Sequence, residues 1–524
     1  MAKPEPNEAD LQTSLSTMLE LARGGIDKTI DEKWRGDLKS VAGVNWALRS
    51  LQTQELFKEF TIDAVTTPHA KVVIDSLFSA LCGALGATPE EKPQQNVLVG
   101  FLFTLFQNLC WRVPTSVPII AQVVFQNQPI LRRTPQTHSG FCSAVLYLSI
   151  CAKLIRRQLI STVVSHVLLL DVRLPREMVL VTSKNPQRSQ EHTDLITKLD
   201  LSVEAVCNFI DKLPEVSASS EEPAVFICNF FSDLLAAFDA AVFRSTSASH
   251  INFILFYACS RFPELTASIL DHLWSRIMAE DKADESRQSA LFYFASFVAR
   301  AKFMALDQLR TAVEHLTQFA HLMRSKTFET PNNGSIVNEQ QAAAAATGRM
   351  ALFDSAVESL IYVIAFHHKT LCTGSLGFRF IRSLHLGDLI NHPSDPLSRC
   401  RESVVGMFLQ VADYYHLSLT DRMSRNSCRT ESMCSIASTP GDSDLTESPM
   451  LLAAAAGDAA IAGSSFFPFD PCMLPKSKEK IKPFYVEFDG SDLLVSSSDS
   501  DNAMDSDDFD DDDDDEQLGF EDMH

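Results

Sequence analysis

Apolar residues recur along most of the chain in runs too long for a strand, parted by short polar breaks. From about residue 10 to residue 418 this pattern predicts helices almost throughout. The runs at 141–155 (FCSAVLYLSICAKLI) and 159–172 (LISTVVSHVLLLDV) predict buried or half-buried helices, as do 201–213 and 224–243. The valines around 163–167 would suit a strand, but the length of the runs favours helix. Further on, 251–260 pairs with 264–279, 286–303 with 305–323, and 350–370 with 376–391, before a last run at 397–418. Breaks this short make consecutive helices antiparallel neighbours. Pairs succeeding one another at the spacing of helical repeats predict an all-α, HEAT-repeat-like α-solenoid. A large irregular helical bundle would give a similar pattern.

Polar and low-complexity stretches then divide the chain. Residues 1–418 form the predicted helical-repeat body, with polar loops near 181–193 and 324–348. Residues 419–465, Ser/Thr-rich and then Ala-rich, are a predicted linker, and 466–486 an aromatic and basic segment. Residues 487–524 form an acidic tail whose composition predicts disorder.

Charge sharpens this division. The net charge is −22, and 17 acidic residues with no Lys or Arg follow Lys482, so the body is nearly neutral. That balance lacks the basic footprint of an autonomous nucleic-acid binder, and no direct sequence-specific DNA binding is expected. The 12 cysteines stand singly with no CxxC, mostly in apolar runs, which points to a reducing compartment. The N-terminus MAKPEPNEADLQ has no apolar core of a secretory signal. The longest plain apolar run, VLVGFLFTLF (97–106), is about half a membrane span, so no membrane partner is expected. Phosphate-binding loops, zinc helices and nucleophile elbows have no match, so neither a cofactor nor catalysis is expected. His367 and His368 end an apolar helix, where polar or cationic groups complement its dipole, and DDDDDD (510–515) lacks the ligand order of a calcium loop.

Three places carry candidate function. The stretch SSFFPFDPCMLPKSKEKIKPFY (464–485) sets Phe466, Phe467, Phe469, Asp470 and Pro471 ahead of Lys476, Lys478, Lys480 and Lys482. Its aromatics suit an anchor that returns the chain to the body after the linker, or else a docking motif for a partner. The lysines suit a solvated face or a weak nuclear localisation signal. Arg300 and Lys302 close an apolar helix, as favourable helix-end charge or as a partner contact. The turn VPTSVP (113–118), restricted by proline on both sides, predicts exposed Thr115 and Ser116 that cap a helix, bind a partner, or both.

FFPFDPCMLPKSKEKIKPFY resembles the C-terminal region of the RNA polymerase I-specific transcription initiation factors of the TIF-IA family. FYFASFVARAKF (292–303), YVIAFHHKTL with GSLGFRFIRSLHL (362–386), and INFILFYACS with LDHLW (251–274) are similar to other segments of that family, in the same order. The resemblance runs over roughly residues 100–485 and assigns nothing specific to the first hundred. It implies a HEAT-repeat fold, no catalysis, and action in the nucleus and nucleolus. It also implies binding to the RNA polymerase I stalk and to the promoter-bound core factor, homodimerisation of the free protein, and control by phosphorylation. By the same resemblance Thr115 and Ser116, continued by Thr134, Thr137 and Ser139, lie where the family has a serine-bearing polymerase-binding surface. Another nuclear helical-repeat scaffold, such as a transport adaptor, is the alternative. One departure is clear: the place of the family's internal acidic loop, near 173–193, instead holds Arg173, Arg176, Lys184 and Arg188.

Overall fold

A computed structural model describes residues 70–88, 92–174, 190–218, 222–245, 247–328, 339–417 and 467–488, together with Arg176 and Val179. Seventeen α-helices lie among the described residues. In chain order α1 is Ala70–Leu85, α2 Lys92–Arg112, α3 Ser116–Gln126, α4 Pro135–Cys151, α5 Arg156–Asp171 and α6 Gln190–Ser217. Next come α7 Pro223–Ala241, α8 Phe253–Arg261, α9 Thr266–Met278, α10 Asp284–Arg300, α11 Leu306–Phe328 and α12 Glu339–Phe366. The last five are α13 His368–Leu371, α14 Gly374–Ser383, α15 Leu386–Ile390, α16 Glu402–Tyr414 and α17 Pro475–Ile481.

Local chemistry sets several boundaries. Proline opens α4, α7 and α17 at the first turn, where a missing N–H costs nothing. The polar stretch 324–348, expected to be a loop, is helical at both ends: α11 runs on to Phe328 and α12 starts at Glu339. The alanine run at 342–346 explains the early start, since alanine has the highest helix propensity. Similarly, α6 begins at Gln190, inside the polar stretch 181–193. The linker 419–465 and the tail beyond Phe488 lie outside the described residues.

Neighbours in sequence are mostly neighbours in space. Helix α1 packs on α2, α3 and α4; α4 on α5 and α6; α5 on α7; α9 on α10; α10 and α11 on α12; and α12 on α16. The result is an all-α helical-repeat architecture with one continuous apolar core along its length. The α1–α4 crossing is close enough to require glycine. A Cβ on Gly140 would sit 2.3 Å from the Cys82 carbonyl oxygen and 2.9 Å from the Gly86 Cα. By length and composition the stretch Pro223–Arg244 could cross a membrane. Here α7 instead lays Phe226, Phe230, Leu234 and Phe238 into the core and packs on α5.

A pair of buried imidazoles joins α4 to α5. His138 Nδ1 lies 3.0 Å from His166 Nε2, one donating and the other accepting, with the rings stacked 5.1 Å apart. Burial, helped by the Lys198 charge, pushes His138 down to about 4; burial and the neighbouring His138 push His166 down to about 4 as well. In the unfolded chain each ring titrates near 6.5. The unfolded state therefore binds more protons in this window, and stability present above pH 6.5 is lost as pH falls towards 4. Each ring should cost on the order of 2 kcal/mol at pH 5 relative to neutral pH. Urea titrations at several pH values should show this slope, and a His138→Leu/His166→Leu variant should show a smaller one. Equal slopes in the two proteins would place the acid sensitivity elsewhere.

Candidate protein-docking site

Helix α10 is buried on nearly every side, and its final residue, Arg300, is 0% exposed although it bears a charge. Its partner comes from the C-terminal segment. Arg300 Nη2 donates to Asp470 Oδ1 at 2.8 Å, in an ion pair whose two side chains are both fully buried. Tyr362 of α12 accepts from Arg300 Nε at 3.1 Å and donates its hydroxyl proton to the same carboxylate oxygen. Burial holds the Tyr362 phenol well above its ordinary range, so the hydroxyl stays a donor. Arg300 Nη1 donates to the Val486 carbonyl at 3.2 Å, and the guanidinium lies over the Phe366 ring at 3.9 Å. The backbone closes the arrangement: Val486 N–H donates to the Arg300 carbonyl at 2.8 Å and Lys302 N–H to the Phe484 carbonyl at 3.0 Å. An antiparallel bridge pairs Ala301 with Tyr485.

Two phenylalanines flank this knot. Phe467, 0% exposed, stacks on Tyr362 with ring centres 3.9 Å apart, and the Arg401 guanidinium covers it at 4.2 Å. Arg401 is itself held by Glu358 at 2.8 Å. Phe469 is also buried, in edge or tilted contact with Phe253, Phe256, Tyr293 and Phe297. Pro471 is half-buried, and Phe466 lies outside the described residues.

Non-helical backbone can be buried only if its polar groups find partners. Arg176 meets most of that demand, donating to the carbonyls of Phe467, Pro468 and Asp470 at 3.1–3.4 Å and to Ser249 at 3.2 Å. Asn252 donates to Pro468 as well, at 3.3 Å. The 249–251 turn is pinned by Asp171, which accepts the backbone N–H groups of Ser249, His250 and Ile251 and faces His250 Nδ1 at 2.9 Å. Burial opposes ionisation of Asp171, but the His250 side chain and these N–H groups outweigh it and hold its carboxyl below the usual range. Further along, Asp200 of α6 accepts Lys476 N–H at 2.8 Å and Ser477 N–H at 2.9 Å, capping α17 from another helix. Lys480 pairs with Asp211 at 2.9 Å.

These positions revise several expectations. Arg300 does close its helix, but as a buried ion and not as a surface contact; a carboxylate distant in sequence neutralises it inside the core. Lys302, by contrast, is exposed. Phe467 and Phe469 are buried against the body, as an anchor requires. Of the two hydroxyl residues of the turn only Thr115 is exposed. Ser116, expected at the surface, is fully buried in the first turn of α3, with Leu109 carbonyl 3.5 Å from its hydroxyl. Valines on both sides draw it inward, Val113 and Val117 being core residues. Thr115 precedes α3 without a side-chain cap, whereas Thr134 does cap α4, accepting Thr137 N–H at 3.4 Å. Thr137 is exposed and Ser139 half-buried. Near this turn, Trp111 at the end of α2 is 77% exposed, and Leu154, in the 153–155 turn that contacts α3, is 85% exposed. Nothing local in the sequence marks Asp171, Arg176, Asp200 or Tyr362 as structural residues.

No group of three or more His, Cys, Asp or Glu that could hold a metal occurs among the described residues. Burial pushes the Cys472 thiol up to about 12, which removes it as a nucleophile at neutral pH. What the arrangement does is mechanical: it fastens the C-terminal segment across α6, α8, α10 and α12.

Breaking one member of the knot should cost far more than exchanging the whole. Asp470→Ala leaves the Arg300 charge buried without its carboxylate and should destabilise by roughly 3–5 kcal/mol. Phe467→Ala should cost a similar roughly 3–5 kcal/mol through lost burial and a cavity. An Arg300→Met/Asp470→Leu double variant should be more stable than the sum of its single losses implies. Denaturant unfolding of these variants, of the Arg300→Met and Asp470→Leu single variants and of the unmodified protein measures this. Additive losses, or an Asp470→Ala cost under about 1 kcal/mol, would show that the knot is not what holds the segment.

Comparison with known proteins fits this architecture. The family model for RNA polymerase I specific transcription initiation factor RRN3 matches residues 1–181 and 180–492, so the match reaches the first hundred residues as well. The mouse RNA polymerase I-specific transcription initiation factor RRN3 is 24% identical over 429 residues, 72% of this chain and 59% of its own length. The Saccharomyces cerevisiae factor of the same name is 23% identical over 329 residues, 61% of this chain and 49% of its own. The chain thus spans about half to three-fifths of the length of these relatives. The crystal structure of RNA polymerase I transcription initiation factor Rrn3 superposes with a TM-score of 0.56 at 18% identity, covering 92% of this chain and 99% of that one, a likeness of fold. With a family model matching along nearly the whole sequence, the chain belongs to the RNA polymerase I specific transcription initiation factor RRN3 family.

Proposed function

We propose that this chain is a non-enzymatic initiation factor that binds RNA polymerase I and links it to the promoter-bound core factor at ribosomal RNA genes, in the nucleus and nucleolus. The names of its relatives support the polymerase and the process. The bridging role, the polymerase stalk as the contact, and homodimerisation of the free protein rest on the family resemblance. The observation that carries the choice of surface is the exposure of Trp111, at the α2–α3 turn next to exposed Thr115, and of Leu154 in the 153–155 turn that packs on α3. Large apolar side chains left in water beside a polar turn suit a protein interface, where aromatic anchors supply much of the binding energy. Thr115, and beyond it Thr134, Thr137 and Ser139, make this surface open to phosphorylation, whereas buried Ser116 could be modified only by unfolding its turn. A phosphate would add about −1.5 to −2 charges that must be desolvated or repelled on docking.

Thr115→Asp should weaken retention of purified RNA polymerase I by about tenfold or more, since like charges at an interface cost several kcal/mol, while Thr115→Ala should bind nearly normally. Trp111→Ala should lose about thirtyfold, as for an aromatic hot spot. Circular dichroism checks that each variant stays folded, and a second pull-down scores core factor on the factor–polymerase complex. Equal retention by all three variants would remove this surface from the reading. Failure of the unmodified chain to retain polymerase I, with capture of transport receptors instead, would favour the transport-adaptor alternative.

A further inference from the structure

Helix α14 is fastened on one side only. Gly377 and Ile381 face the core, while Ser375, Leu376, Phe378, Arg379, Arg382 and Ser383 are exposed, Leu376 to 69% and Phe378 to 37%. At 3.6 residues per turn these six positions cover about half of the helix circumference. Arg379 and Arg382 lie at the centre of that arc, and they take part in none of the ion pairs among the described residues. Lys369, in α13, adds a third exposed cation close by in sequence. Tyr414, 37% exposed, extends the apolar part, because its neighbour Tyr415 meets Phe378 at 6.4 Å. The six exposed positions of α14 hold two arginines and no acid; the exposed acids on the elements around it are Asp388, Asp395, Glu402 and Asp413, with Asp307 and Glu314 on α11, whose Arg310 covers Phe380 at 5.6 Å.

The described chain ends beside this face. Phe488 packs against Phe366 at 5.6 Å; two residues later His368 Nδ1 reaches Tyr415 Oη at 3.3 Å, and Tyr415 touches Phe378. Thirty-six residues follow Phe488, with 16 acids, no Lys or Arg, and the large apolar side chains Phe509, Leu518 and Phe520 set among or just after the aspartates. Twenty residues of chain span up to roughly 70 Å extended, and roughly 25 Å as a flexible coil. Phe509 is therefore well within reach of α14, at the high effective concentration of a short tether.

We propose that the exposed face of α14 is the docking surface for the chain's own acidic C-terminal tail. Phe509 and Phe520 seat against Leu376 and Phe378, and the surrounding carboxylates neutralise Arg379, Arg382 and Lys369. Occupied in this way, the face is shielded from other acidic partners until one of higher affinity, or high salt, displaces the tail. The two parts fit in sign and in chemistry: an arginine pair between apolar side chains meets aromatic residues within a polyanion.

Zero-length carbodiimide crosslinking of the full-length protein, read by peptide mass spectrometry, tests this directly, because the reagent joins carboxylates only to amines in contact. Crosslinks from residues 505–522 should concentrate on Lys369 in preference to Lys302, Lys476, Lys478 and Lys482. Raising salt from about 0.1 M to about 1 M shortens the screening length from about 10 Å to about 3 Å and should reduce the Lys369 yield severalfold. Arg379→Glu/Arg382→Glu should reduce it likewise without altering the circular dichroism spectrum. Phe509→Ala/Phe520→Ala, which keeps every charge, should also lower it at least about threefold, as loss of apolar burial demands. Crosslinks spread evenly over the exposed lysines, or a yield unchanged by the phenylalanine substitutions, would overturn a specific seat. Equal mixing of heavy- and light-isotope chains distinguishes a tail seated on its own chain from one seated on a second copy. Predominantly mixed-isotope crosslinks would overturn the intramolecular placement.

Discussion

The structure depends on a buried charge that the body cannot neutralise where it lies. Arg300 finishes a helix of core residues, and its guanidinium is out of contact with water. An ion left there without a counter-ion costs several kcal/mol, which is a large share of the stability of an ordinary domain. The carboxylate that neutralises it is 170 residues away, beyond the end of the helical repeats. The chain must therefore return across α10 for the body to be electrostatically complete. Replacing such a pair by apolar side chains can be neutral or favourable, so the ion pair is not the cheapest way to fill the space. Its effect is selective: only a segment bringing a carboxylate to that one point, with phenylalanines on both sides, satisfies the site.

The rest of the clasp follows from burying irregular backbone. Residues 467–474 are not helical, so each carbonyl and N–H placed against the core needs a partner; Asp470 N–H finds one within the segment, donating to the Phe467 carbonyl at 3.0 Å, but most of the carbonyls are met from outside it. Arg176 is suited to this because one guanidinium offers several donors in a fixed plane, and it serves three carbonyls of the segment at once. Asp200 plays the complementary part for α17. A seven-residue helix is too short to be stable alone, and a carboxylate accepting two of its unsatisfied N–H groups supplies part of the missing stabilisation. The departure noted at 173–193 acquires a structural meaning here, since Arg176 stands where the family resemblance would place acidic sequence.

Much of the helical body was legible because helix and burial leave a periodic trace. The runs at 141–155 and 159–172 correspond to α4 and α5, and 286–303 to α10, with boundaries shifted by a few residues. The burial of Phe467 and Phe469 was legible because aromatic residues flanked by low-complexity sequence have little reason to exist unless they are buried. The polar half of the same site was not legible. Asp171, Arg176, Asp200 and Tyr362 act through partners dozens to hundreds of residues away, and one ionisable residue in a helix reads as surface until its counter-charge is located. Ser116 shows the opposite failure. Proline on both sides correctly marked a turn, but which hydroxyl points outward depends on the packing of Val113 and Val117, which no local rule supplies.

Burial also limits how the C-terminal segment can meet a partner. With Phe467 at 0% and Phe469 at 2% exposure, neither ring can serve as an anchor for another protein unless the clasp opens, and opening it strands Arg300. The two readings of the aromatic stretch are thus mutually exclusive for the phenylalanines but not for the segment. Helix α17 turns Ser477 and Ile481 inward and leaves Lys476, Lys478, Glu479 and Lys482 exposed. A protein approaching this part of the surface meets those lysines, in a position fixed by side chains it never touches. Contacts made there gain the rigidity of the body and forgo the apolar burial that gives most interfaces their strength. Binding through this face would accordingly be electrostatic and salt-sensitive, whereas exposed Trp111 and Leu154 offer the apolar kind.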